Sequence, residues 1–377
     1  MVMQQTITAK LRLYPTAEQA ELLTRTMDRY MNACGYISFR VYDTQVTDYR
    51  TLHDALYDEL RWCFGLGAQT AQSAIRTVLA AFNAMDSNGH KWTEVQFERP
   101  LIDLVRGRDY SFTGDGLLSV WTIAGRSKIA WSGKGFERYL DSGTFRFGTA
   151  KIVRRDGKWY FHVPITFEVP DCNTSAPSDI VGVDRGVNFA VTTYDNVGKT
   201  AFVSGRALKN TRTKYKILRR DLQRRQTPSA RRRLKKIGQR ENRWMHDVNH
   251  CIAKTLVNSY PSGTLFVLED LTGIRYATEK VRRKDRYAMV SWSFYDLQQK
   301  IEYKARMNGS AVLLVDPAYT SQRCPKCGHT ERANRDKKRH EFCCRQCGYR
   351  SNDDRVGAMN IHSLGVQHAA DHAVADG

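Results

Sequence analysis

The stretch from Tyr319 to Ile361 constrains this chain more than any other, because it holds two Cys-x-x-Cys-Gly pairs, Cys324/Cys327 before Gly328 and Cys344/Cys347 before Gly348, with sixteen residues between them. Four thiolates at that doubled spacing can close a tetrahedron around Zn²⁺, and a glycine after each pair allows the positive φ of a tight turn. The expectation is a zinc ribbon with one structural Zn²⁺ on Cys324, Cys327, Cys344 and Cys347. Cys343 adjoins the second pair, but only Cys344 keeps the two-residue gap to Cys347, which leaves Cys343 as a spare thiol. Asn352-Asp353-Asp354 follows at once, so the metal knuckle runs straight into a carboxylate.

A chain of 377 residues can bury ordinary cores and has room for two or three domains. Outside the ribbon and Cys343, the remaining cysteines (Cys34, Cys63, Cys172 and Cys251) are scattered, which fits a reducing compartment rather than a disulfide framework. The amino terminus lacks a signal-like apolar core, and no run approaches the ~18 apolar residues of a membrane span. A cytosolic protein with no membrane partner is expected.

Net charge is +20, from 59 Lys and Arg against 39 Asp and Glu, which calls for a polyanionic partner. The excess clusters. From Arg206 to Arg243 there are sixteen Lys or Arg and two acids, Asp221 and Glu241, while Ile237, Trp244 and Val248 keep an apolar stripe. That pattern describes helix packed on one side and positive on the other, and charges this dense repel one another unless phosphates neutralise them. Arg219, Arg220, Arg224 and Arg225 are candidate phosphate contacts.

Along the chain, residues 3 to 14 alternate apolar and polar and stop before Pro15, as a strand does. Helical spacing starts at Thr16, a candidate N-cap, and recurs over residues 49 to 63 and 68 to 86. On the last of these, Gln72 and Arg76 share a polar face and are candidate readers of base edges. Residues 109 to 169 turn to period two with a hairpin signature at Asp156-Gly157, which predicts a small antiparallel barrel, and Pro170 to Ser178 reads as a linker. Then come strands Ile180–Asp184, Phe189–Tyr194 and Thr200–Val203, the basic helical region, strand Thr264–Leu268, helix Trp292–Met307, strand Ala311–Val315, the ribbon and a helix from about Asp354 to Leu364. Three strands followed by alternating helix and strand is the order of a ribonuclease H-like fold.

In that order three acids converge on one edge of the sheet: Asp184 and Glu269 at strand ends and Asp354 at the start of the last helix. Each alone has an ordinary explanation, as a turn former or a cap. Together they offer the several carboxylate oxygens that hard divalent cations require, and two Mg²⁺ ions ~3.5–4 Å apart could clamp a phosphodiester there.

Gly182-Val-Asp184-Arg-Gly186, Leu268-Glu269-Asp-Leu271, Tyr319-Thr-Ser-Gln-x-Cys324, Phe342-x-Cys344-x-x-Cys347-Gly and Asp354-x-x-x-Ala358-x-Asn360-Ile361 resemble the TnpB proteins of insertion sequences, compact relatives of type V CRISPR effectors. Lys10-Leu-Arg-Leu-Tyr-Pro15 resembles that family's opening, so the likeness covers nearly the whole chain. The resemblance implies an α+β multidomain protein. A wedge-like antiparallel barrel (residues 1–15 and 101–170) would carry a helical recognition insert (16–100), and a linker (171–178) would lead to a RuvC nuclease domain (179–318 and 351–377) interrupted by the target-nucleic-acid-binding ribbon (319–350). It further implies an RNA-guided DNA endonuclease of the prokaryotic cytosol, with a guide (omega) RNA and double-stranded target DNA as partners. Its catalytic acids fall on Asp184, Glu269 and Asp354, with Mg²⁺ replaceable by Mn²⁺, and its zinc ligands on the four ribbon cysteines. One departure stands out: Val356 and Gly357 occupy positions where the family carries Asn and Ala, which leaves Asp353 as a rival to Asp354. The competing readings are a nuclease-inactive, guide-directed repressor or transposition regulator, and a guide-independent junction-resolving nuclease.

Overall fold

The computed structural model of the chain describes residues 2–140, 143–170, 172, 174, 176–271 and 294–375. The chain divides into two compact units, residues 4–168 and residues 1–3 with 169–377.

The first unit contains β1 (Val2–Tyr14), helices α1 (Ala17–Thr44), α2 (Tyr49–Trp62) and α3 (Ala68–Ser87), and strands β2 (Leu101–Leu104), β3 (Tyr110–Phe112), β4 (Leu118–Thr122), β5 (Gly125–Ser132), β6 (Arg146–Phe147), β7 (Ala150–Arg155) and β8 (Lys158–Pro170). Thr16 and Gln19 form a reciprocal capping box at the start of α1, so two otherwise unpaired backbone N–H groups are satisfied. The strands form an antiparallel sheet in the order β2-β7-β8-β1-β5-β4-β3, with β6 also on β8. Its two end strands are joined by the hydrogen-bonded turn at Val105–Asp109, which draws the sheet towards closure. Asp156 and Gly157 both have positive φ and make the β7–β8 turn, as the Asp-Gly pair predicts. Leu23, Met27, Tyr30 and Ile37 of α1 belong to the same apolar core as Leu11, Ile129 and Phe161 of the sheet.

The second unit is built on a five-stranded mixed sheet. Its strands are β9 (Asp179–Asp184), β10 (Phe189–Asp195), β11 (Thr200–Ser204), β12 (Thr264–Glu269) and β13 (Ala311–Val315), ordered β11-β10-β9-β12-β13. The first three are antiparallel, and β12 and β13 run parallel to β9. Between β11 and β12 the basic region forms two helices, α4 (Arg206–Arg225) and α5 (Pro228–Asn258), rather than one run. The break is local chemistry: Gln226 adopts positive φ, Thr227 caps the N–H of Ala230, and Pro228 fits the first helical position where no N–H is required. Helix α6 (Phe294–Met307) precedes β13; the expected start of this helix at Trp292 lies outside the described residues. Three short strands, β14 (Arg335–Asp336), β15 (Glu341–Cys343) and β16 (Arg350–Asn352), lead into α7 (Asp353–Ala375). That helix runs well past the expected end at Leu364, because Gly365 packs against Val267 and Ile180 instead of ending it.

The sheet is covered on both faces, and strand alternation assigns the residues. Val181, Val183, Phe266 and Leu268 pack with Ala253, Leu297 and Ile301 of α5 and α6, whereas Ile180, Leu265 and Val267 pack with Ile361 of α7. Gly182 faces α7 so closely that an added Cβ would stand 2.2 Å from the Ala358 carbonyl oxygen and 2.5 Å from the His362 nitrogen.

Replacing Gly182 with alanine should therefore cost ~1–3 kcal/mol of stability through overpacking. Gly238→Ala in α5, where nothing lies within 4 Å, should be neutral or stabilising. Urea denaturation of the two variants checks the contrast, and equal midpoints would contradict the packing described.

Candidate functional site

The alternation that sets Ile180 and Gly182 against α7 also directs Asp184 to that face, and the same parity carries Glu269 there after Leu265 and Val267. Leu268 pairs with Val183 across the parallel β9–β12 ladder, so the next residues, Asp184 and Glu269, end their strands side by side. Asp354 lies in the first turn of α7, and a Cβ added to Gly357 one turn on would stand 3.1 Å from Asp184 Oδ2. The structure thus brings Asp184, Glu269 and the start of α7 to one place, and Gly357 leaves room beside the Asp184 carboxylate.

Burial pushes Asp184 well above the usual carboxylate range, and the negative charges of Glu269 and Asp354 push it further. Glu269 and Asp354 are also raised, mainly by burial, with neighbouring Asp353 adding to the effect on Asp354. Each carboxylate is held differently. Glu269 Oε1 accepts the Thr320 hydroxyl, and Thr320 is anchored in turn because its carbonyl, like that of Arg323, accepts from Asn360 Nδ2, at 2.6 and 2.8 Å. Asp353 is fully buried and engaged: Oδ2 accepts from Arg335 Nε at 2.8 Å, and Oδ1 accepts from the Asp354 N–H and lies 3.5 Å from His340 Nδ1. Asp354 Oδ2, by contrast, is buried with no hydrogen-bond partner among the described residues.

Arg185 points to the opposite face from Asp184. Its guanidinium, lowered to about 10 by burial, donates to the Glu269 carbonyl, the Phe294 carbonyl and Gln298 Oε1, tying the ends of β9 and β12 to α6. Arg335 and His340 come from the insert between the cysteine pairs. Arg335 also lies 3.6 Å from Asp354 Oδ1, and His340 Nε2 lies 2.8 Å from Asn188 Nδ2 on the β9–β10 loop. Sequence reasoning gave neither residue a role, since a basic insert carries no periodic signal. Thr320 and Asn360 stood inside quoted motifs without one.

In the knuckle, Cys324 Sγ and Cys347 Sγ are 3.6 Å apart, Cys327 Sγ and Cys344 Sγ 3.5 Å, and all four lie within 4.8 Å of one another. Cys343 is outside this group. Gly328 and Gly348 have φ of 76° and 70°, and each N–H bonds back to the carbonyl of the first cysteine of its pair.

The basic candidates separate. Arg219 and Arg212 both pair with the buried carboxylate of Glu241, so this part of the α4–α5 hairpin is held from within. Arg220, Arg224 and Arg225 are exposed. In the other unit, Gln72 is partly buried, and Arg76 is exposed with its guanidinium 4.9 Å from the centre of the Tyr49 ring.

Residues 162–273 match the OrfB_IS605 family model, described as a probable transposase, and residues 294–361 match the Cas12f1-like TNB domain. The chain is related to the TnpB-like and Cas12f1 proteins. It is 31% identical over 250 residues to the CRISPR-associated endodeoxyribonuclease Cas12f1 of Sulfoacidibacillus thermotolerans, 62% of this chain and 57% of that one. It is 29% identical over 262 residues to the putative RNA-guided DNA endonuclease InsQ of Escherichia coli (strain K12), 63% and 62% of the two chains. A TnpB-like protein of Methanocaldococcus jannaschii is 27% identical over 60% of this chain and 81% of its own. The chain spans less than two thirds of the length of its Cas12f1 and InsQ relatives. The fold matches that in the Cas12f1–sgRNA–target DNA complex, with a TM-score of 0.61 at 14% identity over 96% of this chain and 99% of that one. It also matches the mini-RNA-guided endonuclease CRISPR-Cas_phi3, with a TM-score of 0.53 at 12% identity over 96% and 92%. No helix among the described residues is long and apolar enough to cross a membrane.

Three carboxyls whose folded-state affinity for protons is raised favour the folded state most at low pH. That contribution is lost as pH rises from the ordinary carboxylate range through their raised values. In chelator at neutral pH, Asp184→Asn should therefore melt above the unsubstituted protein. Millimolar Mg²⁺ should raise the melting temperature of the parent and leave the variant unmoved. A variant that melts no higher in chelator would show that the acids are not under electrostatic strain.

Proposed function

We propose that this chain is an RNA-guided DNA endonuclease that hydrolyses phosphodiester bonds at one RuvC-type site of ribonuclease H-like architecture, formed by Asp184, Glu269 and Asp354. The carrying observation is the arrangement of these acids, with Asp184 and Glu269 side by side on parallel strands and, at the start of α7, Asp354 Oδ2 buried and without a hydrogen-bond partner among the described residues. An acceptor oxygen buried without a donor is costly unless something else fills its coordination, and a hard cation does so. Asp354 suits this role better than Asp353, whose oxygens are already taken by Arg335, His340 and a backbone N–H.

Two Mg²⁺ ions, with Mn²⁺ able to substitute, would activate the attacking water and stabilise the leaving oxygen of an in-line displacement when bound. Asp184, Glu269 and Asp354 are the residues that would hold them, since Glu269 and Asp354 both lie close enough to act on the charge of Asp184. Thr320 fixes the rotamer of Glu269 from behind, and Arg185 fixes the backbone at its strand end. Arg335 supplies positive charge at the edge of the cluster, offsetting part of the mutual repulsion of the acids. The names of the Cas12f1 and InsQ relatives support guide-directed DNA cutting. Guide RNA and double-stranded DNA are thus the proposed partners. Exposed Arg220, Arg224 and Arg225 would meet nucleic-acid backbone, while base pairing with the guide would choose the target beside a short transposon-adjacent motif. The antiparallel barrel and α1–α3 of the first unit take the wedge and recognition roles in this reading.

The four ribbon cysteines fit one structural Zn²⁺. A tetrahedron of ~2.3 Å Zn–S bonds sets sulfurs ~3.8 Å apart, close to the observed 3.5 and 3.6 Å, and four thiolates leave no position for water.

Protein expressed beside its native locus should copurify with one defined transcript and cut matched DNA in Mg²⁺. Alanine at Asp184, Glu269 or Asp354 should lower cutting by at least about 10³-fold while guide and target binding persist, whereas Asp353→Ala should act mainly through stability. Cutting in chelator, or normal cutting by the Asp354 variant, would overturn this site. Elemental analysis should find one Zn per chain. Cys327→Ser should lose the metal, and Cys343→Ser should keep it.

A further inference from the structure

One exposed residue beside the acids is held in a conformation its side chain does not favour. Tyr319 has φ of 63° and is 63% exposed. Its carbonyl accepts from the N–H groups of Gln322 and Arg323 at 2.9 and 3.0 Å, a turn that glycine would make without strain. Its ring makes no ring contact, and its hydroxyl no hydrogen bond, among the described residues. Among the described residues nothing uses the aromatic group, and an unfavourable conformation that brings no packing in return points to use by a ligand.

Tyr319 borders a cavity of about 200 Å³ between the loop at residues 318–328 and α7, lined also by Thr320, Arg323, Asn360, Ser363 and Gln367. A cavity of about 150 Å³ admits benzene, so this one has room for a single base. The walls suit one. Asn360 spends its Nδ2 on the Thr320 and Arg323 carbonyls and accepts no hydrogen bond at Oδ1 among the described residues. Arg323 is exposed and pairs with no carboxylate among them. Thr320 both lines the cavity and bonds Glu269, so the cavity opens one residue from the acid cluster. A strand whose phosphate rests on the acids has a neighbouring base within reach.

We propose that this cavity receives a base of the DNA strand beside the bond being cut, stacked on Tyr319, with Arg323 at its phosphate and Asn360 Oδ1 at its edge. The assignment rests on the nuclease reading and makes Tyr319 a substrate-positioning residue. Base–aromatic stacking is sequence-tolerant, so the contact would hold the strand without adding to target choice.

The test walks 2-aminopurine through the nucleotides flanking the cut bond in single-stranded DNA, bound to the full chain as purified. Quenching should peak at one position, vanish in Tyr319→Ala and persist in Tyr319→Phe. Cutting should fall about tenfold in Tyr319→Ala, within the range for loss of a stacked base. An abasic nucleotide at the quenched position should slow the parent by the same factor and the alanine variant no further. Tyr319→Gly should lose as much cutting while melting no lower than the parent, which separates use of the ring from use of the fold. Uniform quenching at every position, cutting at the parent rate by Tyr319→Gly, or abasic and alanine losses that multiply would each overturn the proposal. If the parent cuts no DNA, the nuclease reading fails, but quenching needs no chemistry and still decides whether a base enters the cavity.

Discussion

The contact on which the rest of the second unit depends is that of a helix backbone on a strand with no side chain between them. At Gly182 the α7 backbone approaches β9 more closely than any Cβ would allow, and this sets the depth at which Asp354 arrives relative to Asp184. A helix held one methyl further out would lift its first turn away from the strand ends. Gly357 extends the same logic towards the site, where the carboxylate of Asp184 occupies space that a larger residue on α7 would contest. The hydrophobic residues on that face, Ile180, Leu265, Val267 and Ile361, supply attraction, and the glycine supplies the distance.

The packing brings like charges together. Asp184, Glu269 and Asp354 are held where water cannot fully solvate them, and the protein relieves the strain only in part, through Thr320 on Glu269 and Arg335 at the rim. Asp353 shows what full relief looks like, with both oxygens matched to donors. Two adjacent aspartates on one helix start thus have opposite characters, one stabilising the junction and one with an oxygen left unpartnered among the described residues. Such an imbalance is the usual mark of a site kept for a ligand rather than for stability.

Much of this was legible in the sequence, for reasons that also explain what was not. Strand periodicity and the run of elements gave the sheet, because Ile180–Asp184 and Thr264–Leu268 are short apolar runs with an acid at or just past their ends. The cysteine pairs gave the thiol cluster, because their spacing is itself the geometry. Asp353 stood as a rival to Asp354 in the sequence, since side-chain partners, not position, tell them apart. Arg335 and His340 were hidden because they reach the acids through a hairpin whose register no local pattern encodes. Arg219 looked like its basic neighbours until Glu241, a turn and a half-helix away, was seen to face it. Long-range pairing of this kind leaves no trace in charge density.

The insert between the cysteine pairs has a further consequence. Its outer ends are fastened by the thiol cluster, while its interior sends Arg335 and His340 to the first residue of α7 and His340 onward to Asn188, beside the end of β9. Knuckle and acid cluster are therefore one mechanical part, joined by a hairpin whose other contacts would have to break for either to move alone. Were binding at one end to shift the equilibrium at the other, linkage would make the effect reciprocal and equal in free energy. A residue such as Arg335 thus belongs to neither centre but to the coupling between them.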